Sequence, residues 1–195
     1  MSKFLRWYGR VLALISLQVP DAQAHVLRRN ATVAATRDTV ALTCPGIPSL
    51  TRAFAQVTVE AHASCERVRS EMLARVSSQP QKWHDPHNNG KYTHDGGKDP
   101  AVLRLTRLTG DHRYTDAMEL RLEDKKGAGR CAVQGCSESQ VLSLLDFSTN
   151  YCNLRMLYCG KKEGCHPVEN DFPIVETQGL HSFGAGLDPG ACLKK

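Results

Sequence analysis

The stretch "WHDPHNNGKYTH", Trp83 to His94, holds three of the eight histidines of this 195-residue chain. Imidazole beside carboxylate suits zinc or copper, so His84, His87 and His94 are candidate metal ligands, with Asp85 and Asp95 adjacent. The spacing argues the other way. No H-E-x-x-H pattern occurs, and Pro86 prevents a helix from presenting His84 and His87 together. Asn88-Asn89-Gly90 is turn chemistry in its own right. The stretch reads first as a solvated polar loop ahead of a strand, and second as a metal site.

A second candidate ligand is His25. Lys3, Arg6 and Arg10 give a basic start, Val11 to Val19 is a short apolar run, and Ala22-Gln23-Ala24 is a small-x-small cleavage signal. That order predicts a secretory signal peptide over residues 1–24 and a single secreted domain over 25–195. The apolar run is far below the roughly 20 residues of a membrane-spanning helix. Cutting after Ala24 leaves His25 first, where its free amine and imidazole can chelate copper together. In this His25 resembles the N-terminal histidine of copper-dependent polysaccharide monooxygenases. The resemblance covers one residue and a cleavage site. That family's β-sandwich needs more strands than the pattern here offers, and a cut at Arg28-Arg29 would remove His25 altogether. Asn30-Ala31-Thr32 is a glycosylation acceptor beside it.

Eight cysteines follow the expected cut: Cys44, Cys65, Cys131, Cys136, Cys152, Cys159, Cys165 and Cys192. An even number in a secreted chain predicts up to four disulfides. No C-x-x-C pair occurs, which excludes a zinc–thiolate site on spacing. About 105 connectivities are open; joining Cys44 to Cys65 is the pairing expected if the first loop is tied to the helix that follows it.

Other chemistries find little support. There is no G-x-S-x-G elbow and no phosphate-cradling glycine loop. Asp111 and Asp116 flank Tyr114 in "GDHRYTD", which is ordinary hairpin-tip composition. Beyond residue 24 the chain carries 22 basic and 19 acidic side chains, a net +3, too mild and too interleaved for nucleic-acid binding. Amphipathic aromatics suit a binding surface, and Trp83, Tyr92, Tyr114, Phe147, Tyr151, Tyr158, Phe172 and Phe183 are the candidates, most of them read first as core or disulfide packing.

The elements that must position these residues are read from periodicity. Phe54, Val57, Ala61, Cys65, Val68, Met72 and Val76 recur every three or four residues. They predict one long helix from Leu50 to Val76, with Ser49 as N-cap. Thr39 to Leu42 is a possible strand stub. The period then changes to two. "AVLRLTRL" and "AMELRLED" predict a hairpin through Thr109-Gly110-Asp111, with Arg104 and Arg121 on the wet face to pair with Glu119 or its neighbours in a register the sequence leaves open. Arg130 to Gln134 continues as a third strand. Ser137 to Gln140 has capping-box form ahead of a short helix, and Cys152, Leu154, Met156 and Tyr158 alternate as a strand.

The fold class expected is therefore α+β: one long N-terminal helix on a small antiparallel sheet, disulfide-rich. The function expected is a secreted, disulfide-stabilised binding domain for an extracellular protein, a glycan or a small apolar ligand, without catalysis, cofactor, nucleic acid or membrane span. The alternative is a secreted copper or zinc enzyme using His25 or the His84/His87/His94 cluster. Each disulfide contributes about 2–4 kcal/mol, so mild reductant is expected to lower the melting temperature sharply or abolish the folded state; calorimetry with and without reductant checks this.

Overall fold

The structure is a computed structural model that describes Cys44, Pro45 and residues 51–194, all within one compact unit, Ala41–Lys195. Residues 1–24, His25, Arg28, Arg29, Asn30, the stub at 39–42 and Ser49 lie outside the described residues. The chain runs β1 (Phe54–Ala61), α1 (Cys65–Ser77), β2 (Lys91–His94), β3 (Val102–Leu108), β4 (Thr115–Lys125), β5 (Arg130–Ser139), α2 (Thr149–Tyr158) and β6 (Ile174–His181). The six strands form one antiparallel sheet in the order β2-β3-β4-β5-β1-β6.

The long N-terminal helix is overturned. Its first half is β1, and only 13 residues, α1, are helical. The physical reason is visible in β1 itself. Ala55, Val57, Val59 and Ala61 are buried in strict alternation; Val57 and Ala61 of that face also fall at helical spacing from each other and, with Phe54 of the opposite face, imitate a helical stripe. Ser64, not Ser49, caps α1, accepting from the Arg67 amide at 3.4 Å. The capping-box reading of Ser137 to Gln140 is corrected too, because β5 continues through Ser139. The strand expected at Cys152 to Tyr158 is the helix α2, in which every residue from Asn150 to Tyr158 is buried. A helix buried all round has no amphipathic period to read.

The β3–β4 hairpin forms as expected, with Arg104 opposite Glu119 in register and its Nε 2.9 Å from the carboxylate. The inward faces of β1, β3, β4 and β5 share one apolar core with α1 and α2. Gly135 on β5 lets α2 approach closely: a Cβ there would meet Leu154 at 3.2 Å and Val57 at 3.3 Å.

All eight cysteines are paired: Cys44–Cys136, Cys65–Cys131, Cys152–Cys192 and Cys159–Cys165. The expected Cys44–Cys65 link is not made, because Cys65 opens α1 directly above the inward Cys131 of β5 while Cys44 lies against β1 and β5. Four disulfides, and no helix among the described residues long and apolar enough to cross a membrane, are compatible with an extracellular protein.

A buried ion pair holds α1 in place. Arg75 donates to Glu71 at 2.7 Å and to the carbonyls of Met156 and Cys159, the last turn and C-cap of α2. Glu71 also accepts the backbone amides of Val168, Glu169 and Asn170 at 2.7–2.8 Å. Burial works against its charge, but those amides and Arg75 outweigh it and hold the carboxyl below its ordinary value of 4.5. A depressed carboxylate stabilises the fold above its unfolded pKa and loses that contribution as pH falls through the folded one. Unfolding free energy is therefore expected to decline below about pH 4.5, with a shallower decline in Glu71→Gln; denaturant titrations at stepped pH check it.

Candidate functional site

At one end of the sheet the inward face turns from apolar to polar. Alternation along β3 buries Leu103, Leu105 and then Arg107. In register, Arg107 faces Asp116 of β4, and Asp116 faces Ser139 of β5. All three are buried.

Each member of this row is held by partners. Arg107 donates to Asp85 Oδ2 from Nε at 2.8 Å and from Nη2 at 2.6 Å, and Nη2 also donates to the His87 carbonyl. Both side chains of the pair are fully buried. Asp85 Oδ2 also accepts from the Tyr92 hydroxyl, and Oδ1 accepts from the His87 amide. The guanidinium lies 5.7 Å from the Tyr92 ring centre. Gly90 is required here, since a Cβ would sit 2.1 Å from Arg107 Nε. Asp116 accepts from Ser139 Oγ at 2.7 Å and Asn153 Nδ2 at 2.8 Å. Asn150 Nδ2 joins Ser139 Oγ to Asp146, whose carboxylate also accepts the Ser148 and Asn150 amides. Burial pushes the Asp116 carboxyl up; the bonds from Ser139 and Asn153 oppose this, and the charge of Asp146 adds to it.

Outside this row lies a cavity of about 510 Å³. Asp116, Ser139, Asp146 and Thr149 line it from the sheet and the start of α2, with Asn88 and Asn89 and the β3–β4 hairpin tip on other sides. Its lip is apolar and open to solvent: Tyr114, Leu145 and Phe147 line it, with Phe147 77% exposed. Asp111, Asp116 and Asp146 are its charged lining residues; no Lys, Arg or His lines it among the described residues. Five non-glycine residues in the segments around it have left-handed backbone: Asn88 (φ 56°), Asn89 (φ 48°), His112 (φ 62°), Phe147 (φ 48°) and Ser148 (φ 70°). Asn tolerates this region; Phe and Ser are held there by their surroundings.

The sequence-derived candidates are distributed differently. His84 is exposed. His87 is buried, with Nδ1 3.0 Å from the Ala191 carbonyl and Nε2 3.2 Å from Thr149 Oγ1. His94 lies on β2 opposite Leu105, its Nε2 buried without a hydrogen-bond partner. Among the described residues no group of three or more His, Cys, Asp or Glu is placed to hold a metal ion. Asp85 and His87 instead tie the loop to Arg107 of β3, to Thr149 of α2 and to Ala191. Arg107, Asp146 and Thr149 were not singled out from sequence, although the alternation Leu103, Leu105, Arg107 already places that arginine inward.

Compared with known proteins, the chain matches no family model and no curated protein sequence.

Removing one partner of a buried ion pair strands the other, at about 3–5 kcal/mol. Arg107→Met and Asp85→Asn are each expected to destabilise by that order. The double variant should cost clearly less than the sum of the two, since neither charge is then stranded; guanidinium denaturation of the four proteins checks the cycle.

Proposed function

We propose that this protein is a secreted, disulfide-stabilised binding domain, and that the cavity at the polar end of the sheet is its ligand site. The observation that carries the reading is the cavity's composition: an exposed apolar lip over a lining whose charged groups are all carboxylates. Solvent-exposed apolar clusters mark interaction sites, and Leu142 and Leu144, 69% and 55% exposed, extend this one beside Leu145 and Phe147. Convergent polar groups beneath an apolar rim are the usual make-up of a small-ligand or side-chain pocket.

The chemistry selects the ligand. Anions are repelled by three carboxylates. A protonated amine, or a basic side chain flanked by apolar ones on a partner protein, places its charge near Asp116 and Asp146 and its apolar body on Leu145 and Phe147. Tyr114 and Phe147 add ring faces that attract cations. Secretion, the signal peptide over residues 1–24 and glycosylation at Asn30 belong to the same reading, which the even cysteine count supports.

Isothermal titration with a medium-chain alkylamine and an alkyl sulfate of equal length is the test. Binding of the amine alone is expected, weakened about tenfold, or about 1.4 kcal/mol, in Phe147→Ala. Equal binding of both, or of neither, overturns the reading.

A further inference from the structure

The Thr149 hydroxyl and the His87 imidazole form a pair that ligand binding does not use. Thr149 is the first residue of α2 and lines the cavity. Its Oγ1 lies 3.2 Å from His87 Nε2. The other ring nitrogen lies 3.0 Å from the Ala191 carbonyl oxygen, and a carbonyl can only accept. Nδ1 therefore carries the ring proton, and Nε2 is left to accept from the threonine hydroxyl. Burial disfavours the charged imidazolium, which keeps Nε2 free to accept.

Both neighbours are fixed from outside. The backbone of His87 is held by Asp85 and Arg107 through its amide and its carbonyl. Ala191 precedes Cys192, which is bonded to Cys152 one turn into α2 from Thr149. The disulfide so keeps the orienting carbonyl close to the helix that carries the hydroxyl. Two consecutive left-handed residues, Phe147 and Ser148, immediately precede Thr149. A strained turn that presents a hydroxyl at the start of a helix, with an imidazole in reach and an acceptor orienting that imidazole, is the arrangement of an activated nucleophile.

We propose that Thr149 is a nucleophile that accepts the acyl group of an ester entering the cavity, with His87 as its base. Thr149 Oγ1 bonds to the ester carbonyl carbon as its proton moves to His87 Nε2. The tetrahedral adduct then breaks the bond to the alcohol oxygen, which leaves with that proton. Water attacks the resulting threonine ester, giving its proton to His87. Cleavage releases the carboxylic acid, and the proton returns to Thr149. A small neutral ester does not need the apolar lip, so this proposal stands or falls separately from amine binding.

The test is incubation of the intact protein with p-nitrophenyl acetate, following nitrophenolate release and mapping acetylated peptides by mass spectrometry. One acetyl group per chain on Thr149 is expected, with a burst retained in Thr149→Ser and lost in Thr149→Val. Circular dichroism and thermal melts establish that each variant is folded. His87→Gln is expected to slow acylation by on the order of 10²–10⁴-fold. Acetyl found only on lysines or the N-terminus, or a burst unchanged in folded Thr149→Val, overturns the proposal. Should His87→Gln fail to fold, the Ser and Val variants at Thr149 decide it alone.

Discussion

A ten-residue helix with nothing but its first residue near solvent sets the terms for the rest of this molecule. Along α2, Leu154, Met156 and Leu157 enter the apolar core, but Asn150, Tyr151, Asn153, Arg155 and Tyr158 are buried with them. A buried polar group without a partner costs about 1–3 kcal/mol, so each element around α2 is obliged to supply partners. β4 and β5 offer Asp116, Ser137 and Ser139 to the two asparagines. β6 offers Glu176 to Tyr151, Arg155 and Tyr158. Tyr92 donates to the Asn153 carbonyl, and Arg75 closes the carbonyls at the C-terminal end. The single helix thereby determines which strands carry polar residues inward, and where along their length.

That obligation explains why the cavity sits where it does. The apolar core fills the sheet from Leu122 and Val133 as far as Leu105 and Met118. Beyond that row the strands hold Arg107, Asp116 and Ser139, which cannot be packed as a dry core and need neighbours that hydrogen-bond. The loop from Trp83 to Gly90 supplies Asp85 to Arg107, and the loop ahead of α2 supplies Asp146 to Asn150, which in turn bonds Ser139. Two loops folding inward to satisfy strand and helix groups leave a concave space between themselves. Of these groups, Asp116, Ser139 and Asp146 line the cavity.

This also separates what was legible in the sequence from what was not. The β3–β4 hairpin was legible because one of its faces is wet, and the alternation of Leu103 and Leu105 with Arg104 and Thr106 records that directly. Cysteine number and spacing announced a disulfide framework, but not its connectivity, because partners 92 and 66 residues apart are brought together only by strand order. β1 was misread because alanine fits two periods at once. α2 was misread because a fully buried helix that carries polar side chains shows no face. The Trp83–His94 loop stood out correctly as unusual, yet for a different chemistry: its histidine and aspartate hold an arginine and a threonine, two partners far off in sequence. Asp146 and Thr149 had no sequence signal, since their roles arise from a loop geometry that no local rule encodes.

The strained backbone at Phe147 and Ser148 follows from the same logic. Non-glycine residues in the left-handed region cost on the order of 1–3 kcal/mol each and persist only where the surroundings fix them more firmly than that. Here the turn lies between Asp146, which binds the Ser148 and Asn150 amides, and Cys152, which is tied to Cys192. The Ser148 hydroxyl in turn accepts from the Asp188 amide, so the segment that ends at the disulfide also clamps the turn. A relaxed turn would release Asp146 from Asn150 and with it the link to Ser139 and Asp116. The strain is thus held by the network that buries α2, and that network keeps Phe147 out in solvent and Thr149 at the edge of the cavity.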